Sequence, residues 1–344
     1  MSLGTFRLDR SDRSLIFLGI LGLVLLCSVV FSLWAGSYET PIGELVKGIF
    51  GQAENEKINV VVQHVRLPRI CTAVVAGAGL GVTGCILQAV LNNPLASAST
   101  LGVSQGASFG AAFAIIALGA GSRTGGGTII SLCAFGGSIA VAIVILSLSR
   151  FRQISPESIV LAGVAISSMF TGGTTLLQYF ADEVELASLV FWTFGDLGSA
   201  SWKEIRFMAA VVFLICVYFI LHRWDYNALL SGVETAVSLG INVKRFTIVN
   251  MILCCFMASV IVSYIGLISF IGLVSPHMVR RVTGNNYLYL IPGSVLAGGS
   301  LLLLGDLMGR TIVSPVILPI GAITSFLGGP LFLYLLFRRR KGEC

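Results

Sequence analysis

Charged residues are scarce in this chain of 344, at 11%, where an ordinary soluble domain carries roughly 25%. With 56% of residues hydrophobic, that shortage excludes a soluble fold. Metal and disulfide patterns are missing too. The eight cysteines show neither CxxC nor Cys/His spacing, so they read as small hydrophobes. The three histidines, His64, His222 and His277, fall in distant segments and offer no metal site. No GxxxxGK[ST] loop exists, so any dependence on ATP must come from a partner. No soluble domain, low-complexity linker or legible repeat is present. An enzyme is therefore not expected, and neither is a cofactor. The net charge of +6 sits in twos and threes at the ends of apolar runs, which is a topology signal and not a nucleic-acid footprint.

What the chain has in quantity is apolar runs. A spanning helix needs about 20 largely apolar residues, and Leu15 to Ala35 supplies them directly after Arg7, Arg10 and Arg13. That run is longer than the roughly 7–15 residues of a signal-peptide core, so it reads as a retained span. Further runs occupy 69–91, 101–120, 128–149, 158–180, 207–221, 246–267, 268–281, 288–308 and 318–337. The expected fold is all-α: a polytopic membrane protein of about ten transmembrane helices in one compact bundle and one domain, residues 1–344. Residues 1–14 and 338–344 form tails, and 224–244 forms the longest inner loop.

Phe246 to Val279 is uncharged but interrupted by Gly266, Gly272 and Pro276, so it can be one span or two. With two, 14 of the 22 Lys and Arg fall on one side together with both termini, as the positive-inside rule prefers. The eighth span is then short, and a short, broken helix is tolerable only inside protein or along a cavity. Both termini are expected to be cytoplasmic. Small residues recur every fourth position at Ala73, Gly77 and Gly81, at Gly102, Gly106 and Gly110, and at Gly305 and Gly309, which predicts close helix packing. Gly79 to Gly84 matches GxGxxG, but inside a predicted span it is a packing feature and not a nucleotide site.

Polar segments at the predicted boundaries carry the remaining information. Arg66-Leu67-Pro68-Arg69 opens the second span on the outer side. Its arginines either snorkel to the interface or present exposed forks to the carboxylates of an external partner. Asn92-Asn93-Pro94-Leu95-Ala96 is an uncharged inner connection broken at Pro94, either plain turn chemistry or a narrow gate. Leu229 to Gly240 predicts two short amphipathic helices hinged at Gly232 and stopped at Gly240. Leu229, Leu230, Val233, Val237 and Leu239 are more apolar than a solvated linker requires, which points to contact with another protein.

Taken in order, these segments resemble the FecCD-type permeases, the transmembrane subunits of binding-protein-dependent ATP-driven importers for iron-siderophore complexes, haem and vitamin B12. The resemblance runs from about Val65 to Phe337. It rests on Arg66-Leu67-Pro68-Arg69, Gln88, Asn93-Pro94-Leu95-Ala96, Leu101-Gly102, Gly106-Ala107, Leu161-Ala162-Gly163, Trp192 and Gly195. It continues through Ala236, Leu239-Gly240, Phe270-Ile271-Gly272-Leu273, Pro276-His277, Arg280, Asp306, Arg310, Pro319, Gly321 and Gly329-Pro330.

The resemblance implies a multi-pass inner-membrane homodimer with a path along its twofold axis, two cytoplasmic ATP-binding subunits and a periplasmic or lipid-anchored substrate-binding protein. It implies ATPase coupling through Leu229, Gly232, Val233, Ala236, Leu239 and Gly240, and binding-protein docking at Arg66, Arg69 and Arg310. It implies a cytoplasmic gate at Asn93 and Leu95, with a second gate segment at Ser155-Pro156-Glu157. Two departures stand out: Pro156 and Glu157 replace small hydroxyl residues, and Ser314-Pro315 stands where a Glu is usual. The alternative class is an ion-coupled secondary transporter, which needs membrane-embedded carboxylates; apart from Asp306 the spans hold almost none.

Overall fold

A computed structural model of the chain describes residues 10–36, 40–151, 156–313 and 316–337. Every regular element among them is helical. Helix α1 (Arg10–Trp34) is followed by two short helices, α2 (Ile42–Ile49) and α3 (Glu56–Val61). A π-helical turn at Val62–Arg66 joins α3 to α4 (Leu67–Val90). Then come α5 (Val103–Ala112), continued by a π turn at Phe113–Ala117, α6 (Gly126–Phe151), α7 (Pro156–Phe180), α8 (Glu183–Phe194) and α9 (Trp202–Leu221). The short pair α10 (Arg223–Leu230) and α11 (Val233–Ser238) precedes α12 (Val243–Ile265), α13 (Ile271–Thr283), α14 (Tyr287–Thr311) and α15 (Ile320–Phe337).

Among the described residues seven helices are long and apolar enough to cross a membrane: Ser11–Trp34, Glu56–Val90, Gly126–Leu148, Ser158–Phe180, Trp202–Leu221, Val243–Ile265 and Tyr287–Thr311. The other three of the ten expected runs fall below that length over their described residues. Val103–Ala117 and Ile320–Leu335 are apolar, and α13 has 13 residues, a rise of about 20 Å. The predicted break before α13 is visible in the backbone. Gly266 caps α12 at φ +76°, and Phe270 takes a left-handed conformation at φ +65°.

The Glu56–Val90 helix is the hub, with 83% of its apolar window buried against 17% for α1. Glycine makes this possible. A Cβ on Gly77 would lie 2.3 Å from the Gly298 carbonyl oxygen of α14, and one on Gly84 would lie 1.7 Å from the Gly272 carbonyl oxygen of α13. Pro276 lacks the N–H that would otherwise bond that carbonyl, so Gly84 backs directly onto a freed backbone oxygen. The GxGxxG stretch is thus an interface between helices. Gly106 and Gly110 give α5 the same close approach to α6.

Polar contacts show which helix ends lie together. Ser11 Oγ and Tyr289 Oη are 2.8 Å apart, the Arg281 guanidinium donates to the Leu335 carbonyl, and Asn227 Nδ2 donates to Asn286 Oδ1 at 3.1 Å. The start of α1 and the end of α15 therefore share one end of the bundle with α10 and α11. The terminal segments 1–9 and 338–344, with their basic residues, lie outside the described residues, as do Ser155 and Ser314-Pro315.

Candidate functional site

At the end of the bundle away from α10, the structure gathers Arg66, Arg69 and Arg310, but not as exposed forks. Asp306, whose side chain is fully buried, receives Arg69 Nε at 2.8 Å and Arg310 Nε at 2.9 Å, one on each oxygen. The Arg69 and Arg310 side chains are only 12% and 10% exposed. Arg310 also donates to the Ala35 carbonyl at 3.3 Å and to Ser32 Oγ, and Arg66, itself buried, donates to the Leu33 carbonyl at 2.6 Å. The expectation of solvent-facing guanidinium groups is corrected here. An arginine this close to a helix end satisfies its fork on a buried carboxylate and on the free carbonyls of the α1 C-terminus, groups that would otherwise be unpaired.

The local backbone explains the inward turn. Pro68 cannot donate to the His64 carbonyl, and the ladder widens to a π turn in which the Leu67 N–H bonds Val62. That turn rotates Arg66 toward α1. Outside the cluster, Arg69 reaches the half-exposed Asp196 at 3.8 Å. Asp196 was not anticipated, since its loop lies far from Arg69 in sequence. The Asp306–Arg310 pair has the i,i+4 spacing that sequence reading can recognise.

At the opposite end, α10 and α11 form the hinged pair expected from Leu229 to Gly240. Gly232 sits at φ +111° and Gly240 at φ +87°, conformations that side chains with a Cβ rarely adopt. The two helices are held very differently. On α10, Tyr226 is fully buried; its hydroxyl donates to Asn250 Oδ1 of α12, and its ring lies 5.3 Å from that of Tyr287. Burial pushes the Tyr226 phenol well above its ordinary range, so it stays a neutral donor. Asn227 accepts from the Tyr287 N–H at 3.0 Å. Leu229 lies at the partly buried inner edge of α10.

On α11 only Ala236 is buried; Val233, Val237 and Leu239 are 59%, 57% and 67% exposed. Gly232 and Gly240 are exposed as well. The fastening of α10 through Tyr226 and Asn227 was invisible in the sequence, because no periodicity marks a phenol–amide pair bridging separate helices.

The segment 91–102 is a chain of turns. Asn93 Oδ1 accepts the Leu95 N–H at 2.9 Å, an Asx turn, and Ser97, Ser99 and Thr100 hydrogen-bond to one another. Leu95 projects outward, 43% exposed. Gly163 of α7 packs against this segment: a Cβ there would stand 2.6 Å from the Thr100 carbonyl oxygen. Pro156 and Glu157 form the first turn of α7, which Pro favours; their side chains lie outside the described residues. A crevice of ≈ 340 Å³ connects this region to the hinged pair, bounded by Leu91, Asn92, Ile159, Leu229, Gly232 and Val233. Among the described residues no group of His, Cys, Asp or Glu could hold a metal ion.

Comparison with known proteins places this geometry. The model of the FecCD transport family matches residues 24–338. The ABC transporter permease protein MJ0087 of Methanocaldococcus jannaschii is 46% identical over 338 residues, covering 96% of this chain and 97% of that protein. The hemin transport system permease protein HmuU of Yersinia pestis is 32% identical, with coverage of 94% and 96%. The Fe(3+)-citrate import system permease protein YfmE of Bacillus subtilis is 34% identical, with coverage of 96% and 98%. A solved inward-facing structure of a metal-chelate type ABC transporter superposes with a TM-score of 0.82 at 28% identity, covering 94% of this chain and 99% of that one.

Proposed function

The chain belongs to the FecCD transport family, and on that premise we propose that it is the permease subunit of an ATP-driven importer of a bulky metal chelate, an iron-siderophore, haem or cobalamin. The protein works as a homodimer in the inner membrane. It crosses about ten times with both termini cytoplasmic, the dimer engages two cytoplasmic ATP-binding subunits, and it receives cargo from a periplasmic or lipid-anchored binding protein. ATP hydrolysis belongs to the partner, and this chain supplies the path and transmits force.

The observation that carries the reading is the contrast between α10 and α11. A helix fastened to α12 and α14 by three hydrogen bonds, that of Tyr226 buried, leads into a second helix at which Val233, Val237 and Leu239 are each more than half exposed. Those apolar side chains fit a cleft of the ATPase, so that movement of the partner is passed through Gly232 to α10 and on to the bundle.

Support for a second copy comes from α7, α8 and α15, where Leu161, Leu176, Phe180, Phe191, Phe326 and Phe337 are all exposed. Beside them α7 exposes Ser168, Thr171 and Thr175. The Ser168 and Thr175 hydroxyls donate to their own helix at 3.1 and 3.0 Å. A path lined with self-satisfied hydroxyls wets readily but grips a passing chelate weakly. Asn93 and Leu95, together with Pro156 and Glu157, form the gate at its cytoplasmic end.

Docking of the binding protein involves the Arg66, Arg69 and Arg310 cluster through its field more than through open forks. Three guanidinium groups stand against the buried Asp306 and the half-exposed Asp196, so the surplus charge is positive and attracts acidic groups. Import requires the loaded binding protein to favour one state of the dimer by a few kcal/mol, since equal affinity for both shifts nothing.

Ion-coupled transport is the weaker reading, because Asp306, the one buried acid among the described residues, has both oxygens occupied by arginines. Uptake into proteoliposomes separates the two. The proposal expects transport only with ATP, the ATPase and the binding protein together, and expects Gly232→Glu to hydrolyse ATP without uptake. Uptake driven by an ion gradient alone would overturn it.

A further inference from the structure

A cleft of ≈ 530 Å³ opens between α6, α9 and α12 at the end of the bundle opposite α10, within the about 300–1,000 Å³ range of small-molecule sites. Its walls are two edge-to-face aromatic pairs. Phe135 of α6 meets Phe256 of α12 at 6.0 Å, and Phe207 of α9 meets Tyr264 of α12 at 6.4 Å. Helix α12 thus holds α6 on one side and α9 on the other, leaving an apolar slot. From Tyr264 at its mouth to Phe256 at its floor the slot runs along eight residues of α12, roughly 12 Å at the helical rise. One leaflet of a bilayer core is about 15 Å deep. All three walls belong to helices long and apolar enough to span a membrane, so hydrocarbon chains, not water, are what meets this slot.

The mouth is polar and carries a cation. Lys203, in the first turn of α9, is exposed and forms none of the ion pairs among the described residues. The neighbouring Glu204, also at the mouth, forms no ion pair with Lys203; its Oε2 accepts the Ser201 N–H at 2.7 Å and the Ser201 hydroxyl at 2.8 Å in a capping box that draws it to the start of α9. Trp202 is anchored by Nε1 donating to the Gln63 carbonyl at 3.1 Å, which fixes the start of α9 and the position from which Lys203 projects.

An apolar slot one leaflet deep with a lone ammonium at its entrance has the chemistry of a phospholipid: acyl chain below, phosphate above. We propose that this cleft is a site for one phospholipid of the leaflet opposite α10, its phosphate at Lys203 and one acyl chain between the two aromatic pairs. The inference rests on the chain spanning a membrane and not on what it transports. A bound chain there would fix the angle between α6 and α9.

The test uses the full chain in phosphatidylcholine nanodiscs containing a minor fraction of phosphatidylglycerol with a photoactivatable diazirine in its acyl chain. Adducts are mapped by mass spectrometry. The expected result is labelling of residues 128–135 and 256–264 severalfold denser than on Leu23 and Leu26 of α1, which are equally open to lipid. Unlabelled phosphatidylglycerol should compete better than diacylglycerol, which has no phosphate. Leu132→Trp or Phe207→Trp, both at exposed wall positions, should remove the dense labelling. Lys203→Glu should remove the advantage of the phosphate-bearing competitor. Uniform labelling of all lipid-facing helices, or dense labelling that survives both tryptophan variants in protein eluting as a single species, would overturn the proposal. Failure of import assays would leave this result unaffected.

Discussion

Replacing Asp306 by Asn tests whether the arginine cluster is a buried network or a surface ornament. In the native protein one carboxylate, with no exposed side-chain surface, neutralises Arg69 at 2.8 Å and Arg310 at 2.9 Å. Asn keeps the shape and can still accept a hydrogen bond, but the negative charge is gone, and two largely buried guanidinium groups face each other with Arg66 nearby. Removing one partner of a buried ion pair typically costs about 3–5 kcal/mol, because the remaining charge is left uncompensated, whereas exposed pairs contribute about 0–1 kcal/mol. The cluster joins α4 and α14, which pack along their whole length, so the loss falls on the centre of the fold. In a chain of 344 residues a destabilisation of that size lowers a thermal midpoint by on the order of 4–7 °C.

The assay is thermal unfolding of detergent-solubilised protein, with Glu44→Gln as a control. Glu44 pairs with Lys47 at 2.9 Å, but those side chains are 22% and 47% exposed, and its loss should leave the midpoint in place. The double variant Asp306→Asn with Arg310→Met should recover part of the deficit, since it removes one of the stranded charges. A midpoint for Asp306→Asn that coincides with the wild type would refute the reasoning and mean that the arginines turn to solvent when the carboxylate is neutral.

Gly84→Ala, whose new Cβ would fall 1.7 Å from the Gly272 carbonyl oxygen, should abolish recovery of monodisperse protein, whereas Gly136→Ala, with nothing within 4 Å, should purify normally by size-exclusion chromatography. Tyr226→Phe leaves the fully buried Asn250 without its donor. It should cost about 1–3 kcal/mol, seen as a lower thermal midpoint, and should loosen the coupling of ATP hydrolysis to uptake. The Glu44–Lys47 contact gives a pH signature at the α2–α3 corner. Hydrogen bonding to Lys47 lowers the Glu44 pKa, so its contribution is present above the unfolded carboxylate value of about 4.3 and is lost as pH falls through the folded value. The Lys47 pKa is raised by Glu44 and Glu54, so its contribution holds below about 10.4 and is lost only above it. The protection factor of the α2 amides, with the intrinsic pH dependence of exchange divided out, should therefore be flat between those limits and fall outside them; a fall between pH 5 and 9 would contradict this assignment.

Sequence alone determined the solvent and the periodicity. Too few charges and ten apolar runs dictate a helical membrane protein, because a bilayer leaves unpaired backbone groups no partner. Glycines at fourfold spacing announced close packing. Gly232 and Gly240 announced a hinged pair at Leu229 to Gly240, since local backbone conformation is written in local residues. The break before α13 was legible in Gly266, whereas Gly272 and Pro276 fall inside α13 and the left-handed Phe270 carried no signal.

What only the tertiary structure decided depends on residues far apart in the chain. Arg66 and Arg69 were read as exposed because a boundary arginine usually reaches water; Asp306, more than two hundred residues away, turns Arg69 inward, and the α1 carbonyl of Leu33 captures Arg66. Likewise nothing local to Tyr226 or Asn227 predicts Asn250 and Asn286 as partners. Two of the expected spans, at α5 and α13, are short helices. Composition and period fix which face a helix buries; which polar atom finds which partner is settled only when the helices meet, because a buried polar group takes the nearest partner that three dimensions supply.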